Sequence, residues 1–320
     1  MKRKEILFPV ALNSKGELCF AKEAPKGEKY FCTECKNEMI LRRSETGIKR
    51  PHFAHKKQSL ECYPETVLHN TYKKLLFERL TKALRDKEPL YMEWDCSLCR
   101  GKHRVNLAEN IDSVELESYL DNYKPDIVLL RQGKPVSVIE IIVTHELQEN
   151  IEKYYISKNI SVIKIFLESD EELYKIKDEI LNPTSVEYCT ELPRCPNCGT
   201  YMSRKYMNIG TYECWKCNKP HKVAWITVDN SVPITDDSWG SYYGPDAFSE
   251  NEIKIAREKG VIIEERYSKT IHEKYNANIC PHCGVFIGQF FIHDLLYTEE
   301  EKLLAGYKCP SCGLEKEMKV

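Results

Sequence analysis

Twelve of the chain's fifteen cysteines fall into six C-x-x-C pairs: Cys32/Cys35, Cys96/Cys99, Cys195/Cys198, Cys214/Cys217, Cys280/Cys283 and Cys309/Cys312. A disulfide framework has no reason to repeat that spacing. Zinc does, because two thiolates on one tight turn can take two corners of a tetrahedron. Cys19 and Cys189 read as ordinary free cysteines.

The last four pairs form a degenerate repeat. "CPNCGTYMS" followed by "CWKC" resembles "CPHCGVFIG" followed by "CPSC". The spacings, C-x2-C-x15-C-x2-C and C-x2-C-x25-C-x2-C, each read as two knuckles closing one zinc ribbon. Cys195, Cys198, Cys214 and Cys217 would close the first, in residues 193–229. Cys280, Cys283, Cys309 and Cys312 would close the second, in residues 230–320. The second holds an inserted helix, "SENEIKIAREKG", capped by Ser249 with Glu252 and ended by Gly260. It also holds an aromatic loop, "DDSWGSYYGPDAFS".

Residues 1–63 read as short strands and turns around another zinc. Cys32, Cys35, His52 and His55 give a Cys₂His₂ set, with Cys62 able to replace one histidine. Cys96 and Cys99 lack a second pair; His103 is near, and Cys62 is the other donor from which a zinc site could be built.

Net charge is −2, so the chain is no global polycation. The first 60 residues differ, with 14 Lys/Arg against 7 Asp/Glu; the remainder carries −9. Such asymmetry points to an anionic partner at the N-terminal part. Arg42, Arg43, Lys49, Arg50, Lys56 and Lys57 crowd one stretch and are candidate phosphate contacts. In the ribbons, "MSRKYMN" and "CWKCNKPHK" interleave basic and aromatic residues, as nucleic-acid stacking surfaces do. A protein partner is the other role open to the ribbons. The opening "MKRKEILFPVALNSKG" has too short an apolar stretch for a signal peptide and reads as a first strand. No segment reads as membrane-spanning, and a cytoplasmic location is expected.

Residues 64–168 carry a different pattern. A helix runs from Pro64 to about Arg85, with Val67, Leu68, Leu75, Leu76, Leu80 and Leu84 at helical spacing. "PLYMEWDC" alternates as a strand, "CSLCRGKHRVNLAEN" reads as an insertion, and "KPDIVLLRQGKPVSVIEIIVT" reads as a hairpin turning at Gln132-Gly133. "HELQENIEKYYISKN" is a helix and "ISVIKIFLE" a buried strand. Three meander strands followed by a helical crossover suit a mixed sheet flanked by helices. A linker, residues 169–192, opens on a helix, "SDEELYKIKDEILNP", capped by Ser169 and Glu172.

One carboxylate stands inside the apolar run "VIEIIV": Glu140. A buried carboxylate is expensive unless paired or bound to metal. The hairpin can bring Asp126 to the same rim, and Glu65, His69 and Lys73 share a face of the long helix. Three converging acids would suit Mg²⁺ or Mn²⁺, and such an ion can activate water against a phosphodiester.

"YFCTECKNEMILRRSETGIKRPHFAH", "ETVLHNTYKKLL", "KPDIVLL" and "VIEIIVTHELQENIEKYYIS" together resemble the competence protein CoiA family, over residues 30–167. The resemblance implies an N-terminal zinc element and a restriction-endonuclease-like α/β core of the PD-(D/E)xK type. Its acidic positions fall on Glu65, Asp126 and Glu140. The usual Lys or Gln two residues after the glutamate is Ile142 here, on the same strand face as Glu140. An isoleucine can neither orient water nor stabilise charge. Lys73 is the candidate replacement, then His69, with Thr144 and His145 weaker. The expected function is metal-dependent hydrolysis of a nucleic acid, DNA by resemblance. The alternative is a nucleic-acid-binding or adaptor zinc protein with a degenerate core.

Overall fold

The computed structural model describes residues 5–44, 49–57, 62–144, 147–177, 180–229, 242–288 and 299–318. Among these no helix is long and apolar enough to cross a membrane. The chain divides into two compact units: residues 1–96 with 100–188, and residues 97–99 with 189–320.

The first unit opens with five short strands: β1 (Val10–Leu12), β2 (Leu18–Phe20), β3 (Tyr30–Phe31), β4 (Glu38–Arg42) and β5 (His52–His55). They form one antiparallel sheet in the order β2-β1-β3-β4-β5. Tyr30 and Phe53, both fully buried, meet in its core at 4.9 Å.

Helix α1 spans Pro64–Asp86, with proline in its first turn as the sequence suggests. Val67, Leu68, Leu76 and Leu80 are buried; Leu75 and Leu84 are half-buried. Lys73 lies buried among them. Next come β6 (Tyr91–Asp95), β7 (Lys102–Asn106), the short α2 (Leu107–Asn110), β8 (Ser113–Leu116), β9 (Ile127–Arg131) and β10 (Lys134–Ile142). The β9–β10 hairpin turns through Gln132 (φ 51°) and Gly133 (φ 69°). Two left-handed residues match the right-handed twist of the flanking strands. Helix α3 (Glu149–Ser157) then leads to β11 (Ser161–Phe166), which pairs with β10 in parallel from Ser137↔Ser161 to Ile142↔Phe166. After α4 (Glu172–Lys175) come β12 (Ile180–Leu181) and β13 (Ser185–Val186). The central sheet is β13-β11-β10-β9-β8. Val128, Val138 and Val162 pack with Tyr155 of α3. The alternate residues Ile127, Leu129, Ile139 and Ile163 are buried too, so the strands read as continuous apolar runs. Helix α1 packs against β8 and β10.

Two expectations fail here for identifiable reasons. The meander's first strand is β8, not "PLYMEWDC". The C-x-x-C at 96–99 is itself a turn: the Cys96 N–H donates to Gly101 and the Arg100 N–H returns to Cys96. It folds β6 back onto β7, inside the stretch read as an insertion, and the pair forms a separate sheet, β12-β6-β7. The helix expected over Ser169–Pro183 is a single turn. Ser169 Oγ accepts from Glu171 rather than Glu172, and Ile180–Leu181 is drawn into parallel pairing with β6. The open edge of β6 outweighs the local helical pattern.

The second unit is built on β14 (Ser203–Glu213) and β15 (Pro220–Val228). After β16 (Tyr242–Tyr243) come α5 (Glu250–Glu258), β17 (Ile263–Ser268), β18 (Glu273–Asn278), β19 (Glu299–Lys308) and β20 (Glu315–Glu317). The main sheet is β16-β15-β14-β19-β20, and β17–β18 is a separate hairpin. Ser249 and Glu252 form the expected capping box of α5, and Gly260 (φ 84°) lies just beyond its end. Glu252, 1% exposed, also receives Lys205 Nζ of β14 at 2.8 Å, tying helix to sheet. Met207, Ile209, Ala224 and Ile226 pack against Phe248, Ala256 and Val261. Val223 and Trp225 fill the opposite face with Ile287. Of the aromatic loop, residues 236–241 lie outside the described residues.

Candidate functional site

All six C-x-x-C pairs adopt one local shape. The first cysteine's N–H donates to the carbonyl five residues on, and the residue after the second cysteine donates back to the first. That residue is left-handed every time: Lys36, Arg100, Gly199, Asn218, Gly284 and Gly313. The turn aims both sulfurs to one side.

Four groups of cysteine and histidine bring their ligand atoms within 4.8 Å of one another. In the N-terminal sheet these are Cys32, Cys35, His55 and Cys62. Cys32 and Cys62 sulfurs stand 3.5 Å apart, and Cys35 Sγ is 3.1 Å from His55 Nε2. His52 is not among them; its Nδ1 meets the Arg50 carbonyl at 2.9 Å. His52 and His55 lie on one strand three residues apart, so they face opposite sides. Cys62 takes the fourth corner instead.

The C-terminal groups are crossed relative to the sequence reading. Cys195 and Cys198 join Cys309 and Cys312, whereas Cys214 and Cys217 join Cys280 and Cys283. Strand length is the reason. Eleven-residue β14 separates Cys198 from Cys214, about 37 Å of extended chain. Knuckles at its two ends cannot share an ion. Antiparallel pairing of Ser203 with Lys308 sets Cys195–Cys198 beside Cys309–Cys312. The other end of β14 is the tip of the β14–β15 hairpin, which meets the knuckle following β18.

Cys96, Cys99 and His103 belong to a further group on the β6–β7 hairpin. The sulfur of Cys189, read as a free thiol, accepts the N–H groups of Glu191 and Leu192 at 3.4 and 3.3 Å. Glu34 makes the same contact to Cys32. Cys189 therefore has the surroundings of a metal ligand.

These donor sets fit zinc. Bonds of about 2.3 Å place tetrahedral sulfurs about 3.8 Å apart, and the separations include 3.5, 3.6 and 3.8 Å. A disulfide would need about 2.05 Å. Burial and then the Cys32 sulfur push Cys62 up to about 12, a crowding that a soft cation relieves. Each group can coordinate a structural zinc ion.

The acids of the core are arranged differently. Asp126 Oδ1 accepts from Lys73 Nζ at 3.2 Å. Its Oδ2 accepts the Ile141 N–H at 2.9 Å and lies 3.1 Å from His69 Nε2. Burial pushes Asp126 up, but His69, the Ile141 N–H and Lys73 outweigh it, and the net direction is down. Burial pushes His69 down and Asp126 more than reverses it. Lys73 also donates to Glu117, a residue the sequence reading passed over. Glu117 is held down to about 2, first by Lys124 and then by Lys73. Glu65 is half-buried on the first turn of α1, and the three acids do not form a metal-binding group among the described residues. Both oxygens of Asp126 already serve the chain's own donors. Ile142 is buried, Thr144 is exposed, and His145 lies outside the described residues.

Glu140 is pushed up to about 7, first by burial and then by Asp126; the Tyr155 hydroxyl, 3.3 Å from Oε1, offsets part of this. The folded chain thus holds a proton that the unfolded chain releases near 4.5. Stability falls as pH rises between those values, by about 3 kcal/mol at most. Glu140→Gln is expected to stabilise the protein by about 1–3 kcal/mol at pH 8 and by nothing near pH 5. Urea unfolding at the two pH values measures this; an equal effect at both would rule out the titration.

The six basic candidates divide. Arg43 donates to the carbonyls of Ala21 and Ala24, Arg50 pairs with Asp170 at 2.7 Å, and Lys56 pairs with Glu38 at 3.1 Å. Arg42, Lys49 and Lys57 are exposed and make no ion pair among the described residues.

Residues 14–63 match the family model described as competence protein CoiA, N-terminal domain. That segment contains Cys32, Cys35, His55 and Cys62 and ends just before α1. It spans about a sixth of the chain, so the similarity to that domain covers the first zinc group and not the core. No curated protein and no solved structure matches the chain.

Proposed function

We propose that this is a zinc-stabilised nucleic-acid-binding protein whose nuclease-like core is held closed by its own ion pairs. The observation that carries the reading is Asp126, both of whose oxygens are engaged by Lys73, His69 and the Ile141 N–H. An acid so neutralised is a poor ligand for a hard cation. Support for the anionic partner comes from the net charge of +7 over the first 60 residues, with Arg42, Lys49 and Lys57 facing solvent. Phosphate contacts of this kind position a nucleic acid without reading its bases.

Glu140 favours a second reading, the metal-dependent nuclease. It stands in the apolar strand β10 beside Asp126, with His69 and Lys73 on the adjacent helix, and is pushed up to about 7. One experiment separates the two. Labelled single-stranded DNA, duplex DNA and RNA are incubated with the protein in EDTA, Mg²⁺ or Mn²⁺, and binding is followed against salt. Salt-sensitive binding without cleavage is expected. Replacing Arg42, Lys49 and Lys57 by alanine should flatten the salt dependence, by roughly 0.9 per lost duplex phosphate contact. Metal-dependent cutting that disappears in Glu140→Ala would install the nuclease reading instead.

A further inference from the structure

The six zinc knuckles differ at their tips. Between the paired cysteines stand Thr33-Glu34, Ser97-Leu98, Pro196-Asn197, Pro281-His282 and Pro310-Ser311, but Trp215-Lys216 in the knuckle at 214–217. Closing a knuckle therefore requires no indole, since five manage without one. Trp215 is nevertheless 59% exposed, whereas Trp94 and Trp225 are 5% and 1% exposed.

We propose that Trp215 is a stacking platform for the bases of single-stranded nucleic acid, with Lys216 and Lys219 taking the adjacent phosphates. This rests on the nucleic-acid-binding reading above and gives it a site and a strand preference. The indole sits on a fixed mount. The Cys214 N–H donates to Lys219 at 3.0 Å, the Asn218 N–H returns to Cys214 at 2.8 Å, and Asn218 is left-handed (φ 55°). With the backbone fixed, a stacking base has only the side-chain torsions of Trp215 to order.

Charge agrees with this occupant. From Cys214 to Val228 the chain has Lys216, Lys219 and Lys222 and no acid, although exposed Glu213 precedes them. Lys216 and Lys219 are exposed and make no ion pair among the described residues. Lys222 Nζ is engaged by the Lys259 carbonyl at 3.0 Å. An apolar protein groove would match the indole but would strand the two ammonium groups. A strand of unpaired bases matches both, because every base has a π-face and every linkage a charge. Duplex bases are stacked on one another, so one exposed ring has no face to meet.

The test uses the full chain with zinc bound. Fluorescein-labelled oligo-dT, an RNA of equal length and a DNA hairpin are titrated while anisotropy and tryptophan emission are followed. Trp215→Leu is expected to weaken single-strand binding roughly 5- to 100-fold and remove the emission quenching. Trp215→Phe should keep most of the affinity. Lys216→Gln with Lys219→Gln should lower the single-strand salt slope by roughly 1.4. Unchanged zinc content in each variant shows that the knuckle is intact. Single-strand binding that survives Trp215→Leu would overturn the stacking site and leave the nucleic-acid reading standing. A wild-type protein that binds none of the three probes would end both, and Trp215 would then be a protein contact.

Discussion

Replacing Cys195 and Cys309 together by histidine is expected to alter one of the two four-cysteine metal centres and leave the other untouched. In the cobalt-loaded protein the crossed grouping of Cys195 and Cys198 with Cys309 and Cys312 puts both histidines on one ion. That yields one S₂N₂ centre beside an intact S₄ centre. Pairing in sequence order would yield two S₃N centres. The absorption bands separate these cases, because each exchange of thiolate for imidazole shifts the bands and weakens the sulfur-to-metal charge transfer. Full removal is far more damaging. In small zinc peptides the ion contributes about 10–16 kcal/mol, against roughly 5–15 kcal/mol for the whole stability of a typical domain. Cys195→Ala with Cys309→Ala, or a strong chelator, should abolish cooperative unfolding of the second unit. A melt that kept its midpoint would show that the sheet β14-β15-β19 stands without metal.

The contrast between local and distant information explains what could be read from residues alone. Helix α1 was legible because its proline and its leucines act within a few turns. The Gln132-Gly133 hairpin was legible because the turn itself demands left-handed residues. The crossover into β11 follows from strand, helix and strand of the right lengths. The zinc knuckles were legible one at a time for the same reason. Which knuckles share an ion was not, because that is set by pairing Ser203 with Lys308, over a hundred positions away.

Some distant constraints do leave a local trace in the sequence. "PHFAH" reads as a strand, and on a strand two histidines three apart cannot face one ion; this already favoured Cys62 over His52. No turn signal interrupts the strand "SRKYMNIGTYE" strongly enough to bring Cys214 back to Cys198. Other residues gave no signal. Glu117 follows β8 with φ 50° and meets Lys73 only because α1 packs on that strand. Tyr155 reaches Glu140 only through the seating of α3 on the sheet. In the core, His69 and Lys73, one turn apart on α1, both meet Asp126. The spacing alone did not show that they would neutralise it.

That neutralisation makes the loss of Lys73 costly to the first unit. Its side chain is 9% exposed, and it meets Asp126, itself 14% exposed, and Glu117. Lys73→Met would leave both carboxylates with less opposing charge, and Asp126 already acts on Glu140. Breaking a buried pair this way costs about 3–5 kcal/mol, because an uncompensated charge stays behind. Pairing Lys73→Met with Asp126→Asn should cost less than the sum of the two single changes. The pH dependence has a definite sign. Asp126 is held below its ordinary value partly by Lys73, so its stabilising contribution is present at neutral pH and lost as pH falls through its folded-state value. Without Lys73 that contribution shrinks, and the deficit should be largest near pH 8 and smaller near pH 5, where Glu140 is protonated. Urea titrations of the four proteins at both pH values measure every term. If Lys73→Met left stability unchanged at pH 8 while removing a metal-dependent cleavage, the lysine would be held for chemistry rather than for the fold. The core would then be an open site that the ion pair only occupies until substrate arrives.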